Sequence, residues 1–491
     1  MSKFFRIIIT PFLITIICES IYRGGLFQAF KWSFTNLNEF FANFFLLFCI
    51  INIFYFLNRK IYFLISVLLF SILAIFSFVS KSKMELRGDP LVPWDLYLGK
   101  EAAKISSNIN ELVTVNAILM FAFIIVATVV LIVVSPKENK PNLKRKKEKI
   151  AYSITSLVLF FVLYISVLPF EKCFNIEFDS FNQKNNTEVN GALLGFFLNL
   201  QNSGIKIAVG YDENKIKDIV KKSSKSQEID PDFKPNVIFI LSESFSDPTI
   251  MEGLTFNEDP IPYFRSLTDK HSSGTIVNPV FGGGTINSEI EVLTSFSTEF
   301  IPRGASIHKY IDQPTESMAS VLKQQGYNTA AVHTFNGWFY ERNRLYKELG
   351  FSKFFSLEFF NNPEYHEPYV KDEILMKQVL KEVEQSKGQD FIYAATMEAH
   401  GPYNEKESTK GKIQVTSKMP TKSKNMVSDY ANRINGFDSS LKTLITGLES
   451  LDEPTIVVVF GDHLPLLGKN EKVYKELGYF DDEKKYEDYI K

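Results

Sequence analysis

At 491 residues the chain is too long for one ordinary domain. A formal net charge of −2 points to no particular partner and gives no reason to expect nucleic acid. Three cysteines, none forming a pair in the polar half, exclude a disulfide-stapled class without fixing the compartment. Phe, Ile and Leu crowd the first 170 residues and the remainder has an ordinary soluble composition, so the near-zero mean hydropathy averages two regimes.

Five apolar runs approach the length of about 20 residues that a bilayer crossing needs: 5–22, 39–57, 61–79, 113–135 and 150–169. The first contains Pro11 and ends at Glu19. No small-residue cleavage site follows it, so it reads as a retained span rather than a signal peptide. No run carries a pair of charges inside it, which argues against an ion or proton pathway. Residues 137–149, KENKPNLKRKKEK, hold seven basic residues and belong on the cytoplasmic side, as does Asn58-Arg59-Lys60. The N-terminus is then cytoplasmic, and everything after the fifth span is extracellular. In the outer loop 81–112, ELRGDPLVPWDLYLG suits the membrane surface, the soluble domain or plain solvent equally well.

Residues 1–170 read as a transmembrane domain and 171–234 as a juxtamembrane segment and linker. The aromatic stretch GALLGFFLNLQ at 191–201 suits the outer leaflet, and a Lys-rich helix and linker follow. From 235 the pattern changes. Apolar runs of strand length at 236–241, 329–333, 391–396 and 455–460 alternate with helical patterns at 262–270, 287–297, 315–325, 340–349, 371–386 and 427–448. Residues 235–491 therefore predict an α/β domain with a mostly parallel sheet. In such sheets ligands sit beyond the carboxyl ends of the strands.

Those ends carry the chemistry. Ser242-Glu243-Ser244 follows the first strand, His333 the second, Glu398 and His400 (in MEAHGPY) the third, and Gly461-Asp462-His463 the fourth. Glu243, Asp462 and His463, with a hydroxyl from Thr285, make an oxygen-rich set suited to Mn²⁺ or Mg²⁺ and less clearly to Zn²⁺. Thr285 follows three glycines and opens an amphipathic helix, where backbone and helix start favour an anion. It is placed either as a metal-activated nucleophile or as an ordinary helix start. Arg342 suits bidentate phosphate binding, although Arg344 serves equally on spacing. Trp338, Phe339 and Tyr340 make an apolar wall or simply core. His400 suits proton donation to a leaving oxygen.

The succession NVIFILSESF, FGGGTINSEIEVLT, HTFNGWFYERNRLYKELGF, MEAHGPY and VVVFGDHLP resembles the lipoteichoic acid synthase family. The resemblance implies five spans and an extracellular sulfatase-like (alkaline phosphatase superfamily) domain. It implies Glu243, Thr285, Asp462 and His463 as metal ligands, with Thr285 the nucleophile, and His333, Arg342 and His400 around a glycerol phosphate. Where the family often has tryptophan two residues before that arginine, this chain has Tyr340. The implied reaction moves glycerol phosphate from phosphatidylglycerol through phosphothreonine to a glycolipid or growing polyglycerolphosphate chain at the cell membrane, with membrane lipids as surroundings. Thr285-Ile286-Asn287-Ser288-Glu289 lacks the C/S-x-P-x-R pattern of true sulfatases, and the soluble part lacks the cysteines typical of phosphoethanolamine transferases. A phosphodiesterase, a transferase of another phospho-alcohol and a non-enzymatic binding module are the competing readings. Family members run on for roughly a hundred residues past Asp-His, whereas this chain stops at Lys491 after KKYEDYIK. A truncated domain with an exposed sheet edge is the expectation.

Overall fold

The computed structural model describes residues 4–87, 90–98, 143–165, 172, 174–178, 183–204, 210–223, 233–302, 304–366, 368–406, 411–468 and 471–479. The chain divides into two compact units, 1–204 and 205–491.

In the first unit three described helices are long and apolar enough to cross a membrane: Phe5–Arg23, Leu37–Phe56 and Arg59–Glu85. The predicted run 113–135 and most of the basic loop before the helix Leu143–Ile165 lie outside the described residues. That helix carries most of the fifth run. One expectation is corrected. The first apolar helix does carry a charge pair, because it continues past Glu19 to Arg23 and stops at Gly24 in the left-handed region (φ 83°). Glu19 accepts from Arg23 Nε at 2.8 Å and, through its other oxygen, from Ala192 N at 3.0 Å. The stretch read as lying on the leaflet is therefore tied into this unit. Leu194, Phe197 and Leu198 are buried, and Gln183 and Asn199 exchange two amide hydrogen bonds of 2.9 and 2.8 Å. The segment after the third span also folds back, with Lys83 on Asp95 at 2.7 Å and Trp94 buried.

The second unit is built on a five-stranded parallel sheet of order β3-β2-β6-β1-β7. The strands are β1 (Asn236–Ser242), β2 (Asn328–His333), β3 (Lys353–Phe355), β6 (Asp390–Ala395) and β7 (Thr455–Gly461). A hairpin of β4 (Tyr365–His366) and β5 (Tyr369–Val370) stands apart. Branched and aromatic residues dominate β1, β6 and β7, as strands buried between layers require. On one face Ile238, Ile240, Val332 and Ile392 pack against Leu375, Met376 and Val379 of the helix Asp372–Gln385. The helix Thr421–Glu449 covers the same face with Phe437, Leu441 and Leu444.

The opposite face is covered unevenly. Tyr346 and Phe351 pack over Tyr393 and Phe391, whereas Ile456 and Val458 on edge strand β7 are 47% and 38% exposed. Replacing Ile456 and Val458 together by threonine should change stability by less than about 1 kcal/mol while reducing light scattering of the purified chain. Ile238→Ala, on the covered face, should cost about 2–5 kcal/mol in chemical denaturation.

Candidate active site

Strand register places the chemistry at one level. Ser242 lies opposite Gly461, Leu241 opposite Ala395, and Ala395 opposite His333. Glu243, Asp462 and His463 thus emerge from adjacent strand ends, and their ligating atoms lie within 4.8 Å of one another, all buried.

The turns are fixed by backbone contacts. Asp462 Oδ1 accepts from Ser244 N at 2.7 Å and from His463 N at 2.9 Å. Glu243 N donates to Thr396 Oγ1 at 3.0 Å. Ser244 sits in the left-handed region (φ 53°), with its carbonyl accepting from the Tyr430 hydroxyl at 2.9 Å. At Gly461 an added Cβ would lie 2.3 Å from the Phe245 carbonyl oxygen, so no other residue fits where the two turns touch.

A cation fits the atoms left over. His463 Nδ1–H donates to the Leu464 carbonyl at 3.0 Å, so in the neutral ring Nε2 is the acceptor. That nitrogen lies 3.2 Å from Asp462 Oδ2 and 3.6 Å from Glu243 Oε1, yet Nε2 and Oδ2 are buried without hydrogen-bond partners. Lone pairs facing each other across such distances need a positive charge between them. Burial and then Glu243 push the Asp462 carboxyl up to about 7, against the lowering pull of His463 and the Thr285 hydroxyl. Burial lowers His463, but Asp462 and Glu243 outweigh it and hold it above its usual value.

Thr285 stands beside this cluster, its Oγ1 3.4 Å from Glu243 Oε2. It begins the helix Thr285–Thr294, whose residues 285–290 are all buried. Gly284 caps that helix in the left-handed region (φ 85°), and Gly283 (φ 150°) faces open space, with no atom within 4 Å of an added Cβ. The open side of the turn thus adjoins the threonine.

His333, at the end of β2, has Nδ1 2.9 Å from the Ala395 carbonyl and therefore presents Nε2 as an acceptor. Burial, then the Arg342 charge, holds its pKa well below the usual histidine value. His400 lies on the loop after β6, half-buried, with Nδ1 2.6 Å from the Gly401 carbonyl and its ring against Tyr369. Tyr340 precedes the helix Arg342–Glu348 in a left-handed conformation (φ 53°), as does Glu341. Its ring lies 5.2 Å from the Arg342 guanidinium and packs edge-on against His308.

Arg342 differs from expectation. Its Nε and Nη2 are held by Glu289 at 3.2 and 3.0 Å, with both side chains buried. The side edge of the fork is therefore already taken. Removing either partner of such a pair costs about 3–5 kcal/mol. Arg344 is paired as well, with Glu341 at 3.1 Å and the Ile311 carbonyl at 2.6 Å. Glu289 is the residue that sequence reasoning missed. Its signal was a carboxylate four residues after Thr285, on the same helix face, beside buried Ile286 and Ile290.

The sulfatase family model matches residues 235–488. The chain belongs to the sulfatase family. A Rhizobium meliloti protein named for cyclic β-1,2-glucan modification is 31% identical over 419 residues, covering 82% of this chain and 63% of that protein. Lipoteichoic acid synthase 1 of Bacillus subtilis is 23% identical over 249 residues, covering 49% and 38%. This sulfatase-family chain thus spans less than two thirds of either relative. Its fold is shared with the Streptococcus pyogenes phosphoglycerol transferase GacH, solved with sn-glycerol-1-phosphate, at a TM-score of 0.50 and 24% identity over 56% of this chain and 74% of that one.

Two outcomes test the geometry. A chelator should lower the melting temperature of the wild-type chain and leave Asp462→Asn unmoved, because only an intact ligand set gains stability from metal. His308 is fully buried with both ring nitrogens unpartnered, and burial followed by Lys309 lowers its pKa to about 3. The folded state then excludes a proton that the unfolded chain takes up below about 6.5. Stability is fully present above that pH and falls down to about 3. His308→Phe should flatten this acid limb in a series of thermal melts.

Proposed function

We propose that this chain is a membrane-anchored phosphoglycerol transferase. The observation that carries the reading is the Thr285 hydroxyl, 3.4 Å from Glu243, beside a buried carboxylate–imidazole cluster whose free atoms call for a cation. Glu243, Asp462 and His463 would hold the metal, Mn²⁺ in the first instance or Mg²⁺, with Thr285 completing the set. When bound, the metal lowers the pKa of the threonine hydroxyl and offsets charge on the phosphate.

Thr285 gives its hydroxyl proton to solvent and its Oγ attacks the phosphorus of phosphatidylglycerol. The Oγ–P bond forms, the P–O bond to diacylglycerol breaks, and the departing oxygen takes a proton from His400. His333, Tyr340 and Arg342 hold the glycerol phosphate. A hydroxyl of the acceptor attacks the same phosphorus, its proton leaves to His400, the Oγ–P bond breaks, and the threonine hydroxyl is restored by a proton from solvent. The lipoteichoic acid synthase relative supports a glycolipid or growing polyglycerolphosphate acceptor, and the glucan-modification relative supports a glycan hydroxyl. In this reading residues 1–170 anchor the chain with a cytoplasmic N-terminus, 171–234 link, and 235–491 work on the extracellular side.

Mass analysis after incubation with phosphatidylglycerol tests this reading. A glycerol phosphate adduct on Thr285, absent in Thr285→Ala, is the expected result. Free glycerol phosphate released without transfer to any acceptor would instead indicate a phosphodiesterase. Absence of metal-dependent turnover would leave a binding module.

A further inference from the structure

Apart from the ligand cluster, the segment that carries His400 borders a half-open cavity of about 270 Å³. His366, Glu398, Lys412, Asp429, Asn435 and Gly436 line it. Glu398, two residues before His400, is buried. Its Oε1 accepts from His366 Nδ1–H at 2.9 Å and its Oε2 from Asp372 N at 2.9 Å. With its proton on Nδ1, the neutral ring presents Nε2 as an acceptor. Asp429 Oδ2 accepts from Arg433 Nε at 3.2 Å and from Asn404 N at 3.0 Å, so its charge is balanced. Among the described residues His366 Nε2, Asp429 Oδ1 and Asn435 Oδ1 take part in no hydrogen bond. Gly436 lies inside the helix Thr421–Glu449, where glycine costs about 1 kcal/mol relative to alanine. A Cβ there would stand 2.5 Å from Glu398 Oε1, so the glycine keeps the carboxylate's place open. The cavity is also tied to His400. Arg433 Nη1 donates to the carbonyls of Glu398 and His400, at 3.1 and 3.5 Å. In the β4–β5 hairpin His366 pairs with Tyr369. The Tyr369 hydroxyl donates to the Gly401 carbonyl at 2.9 Å, and its ring lies 5.0 Å from that of His400.

We propose that this cavity binds a sugar unit of the acceptor. The inference rests on the transferase reading, in which His400 serves the departing oxygen and then the attacking hydroxyl. Both oxygens use the same place beside that imidazole. A glycan whose reacting hydroxyl lies there has its neighbouring unit along the segment that carries His400, and the cavity borders that segment. Its chemistry suits a ring of hydroxyls. The three open acceptors take hydroxyl protons, and the Lys412 ammonium donates to a hydroxyl oxygen. An ammonium ligand, which only donates, meets the charge of Lys412 and that of Arg433 beside Asp429. A phosphate meets the carboxylates of Glu398 and Asp429. A neutral polyol meets neither conflict. Sites for drug-sized ligands run to about 300–1,000 Å³, so this smaller volume suits one ring rather than a chain.

The test uses the full chain with Mn²⁺ in micelles of a detergent that carries no sugar. It is titrated calorimetrically with a β-linked glucose disaccharide and, as a cationic probe, with ethanolamine. Wild type should bind the disaccharide more tightly than ethanolamine by about tenfold or more. Gly436→Ala narrows the cavity and should weaken the disaccharide by about tenfold or more. Asn435→Ala removes one open acceptor without crowding Glu398 and should weaken it by about fivefold. It decides alone should Gly436→Ala fail to fold. In both variants glycerol phosphate adduct formation on Thr285 should keep its wild-type rate within about twofold, because that step precedes the acceptor. Wild-type disaccharide affinity in either folded variant overturns the proposal. So does a wild type that binds no disaccharide or binds ethanolamine more tightly. Weaker binding together with a slower adduct and a lower melting temperature also overturns it, because a purely structural cavity gives that pattern. Wild type that binds the disaccharide but forms no adduct sinks the transferase reading and leaves the sugar site standing.

Discussion

The site depends on the register of four parallel strands. Because β1, β2, β6 and β7 end at one level, residues far apart in sequence leave the sheet side by side. Parallel pairing gives each turn the same direction, and the carboxyl ends of the strands become one rim. A slip of one residue would turn Glu243 or Asp462 into the opposite layer. The turns lock this register. One oxygen of Asp462 gathers two backbone N–H groups, and the other is left for a cation.

Two kinds of buried charge stand within this rim, and they are resolved differently. Glu243, Asp462 and His463 crowd carboxylates and lone pairs into a dry interior, a crowding that a bound cation would relieve. Glu289 and Arg342 satisfy each other. The first arrangement leaves atoms open to a cation. The second is complete and therefore orients. Tyr340 and Glu341, both in left-handed backbone, turn the chain sharply into the Arg342 helix. That turn places the tyrosine ring against the guanidinium.

Much of the soluble unit was legible in the sequence because its central strands are uninterrupted apolar runs. β1, β2, β6 and β7 stand where those runs stand, and Glu243, Asp462 and His463, which follow two of them, come together, whereas Glu398 is taken by His366 and Asp372 N. The edge strand β3 escaped notice because Lys353–Phe355 is too short to show a pattern. The helix Thr421–Glu449 begins six residues before the predicted start, since its first turn is polar and lacks a capping side chain. The helix expected from 340 begins instead at Arg342, because two residues with positive φ break the periodic pattern. Glu289 could be read as a helix surface charge until its partner, 53 residues away, came into view. Glu19 and Arg23 were hidden in the same way: hydropathy sees a charge as the end of a run, not as half of a pair.

The contact between the two turns that carry the candidate ligands has a consequence for how the chain matures. Ser244 N and Asp462 Oδ1 meet across 218 residues of sequence, and Gly461 lets the turns touch only when β7 is seated beside β1. Glu243 is made 219 residues before Asp462, so over that stretch of synthesis the emerging polypeptide holds half a cage. A lone carboxylate retains a divalent ion poorly. A divalent ion held by this set would therefore load at the last stage of folding, and the compartment in which the sheet closes would decide which ion is at hand.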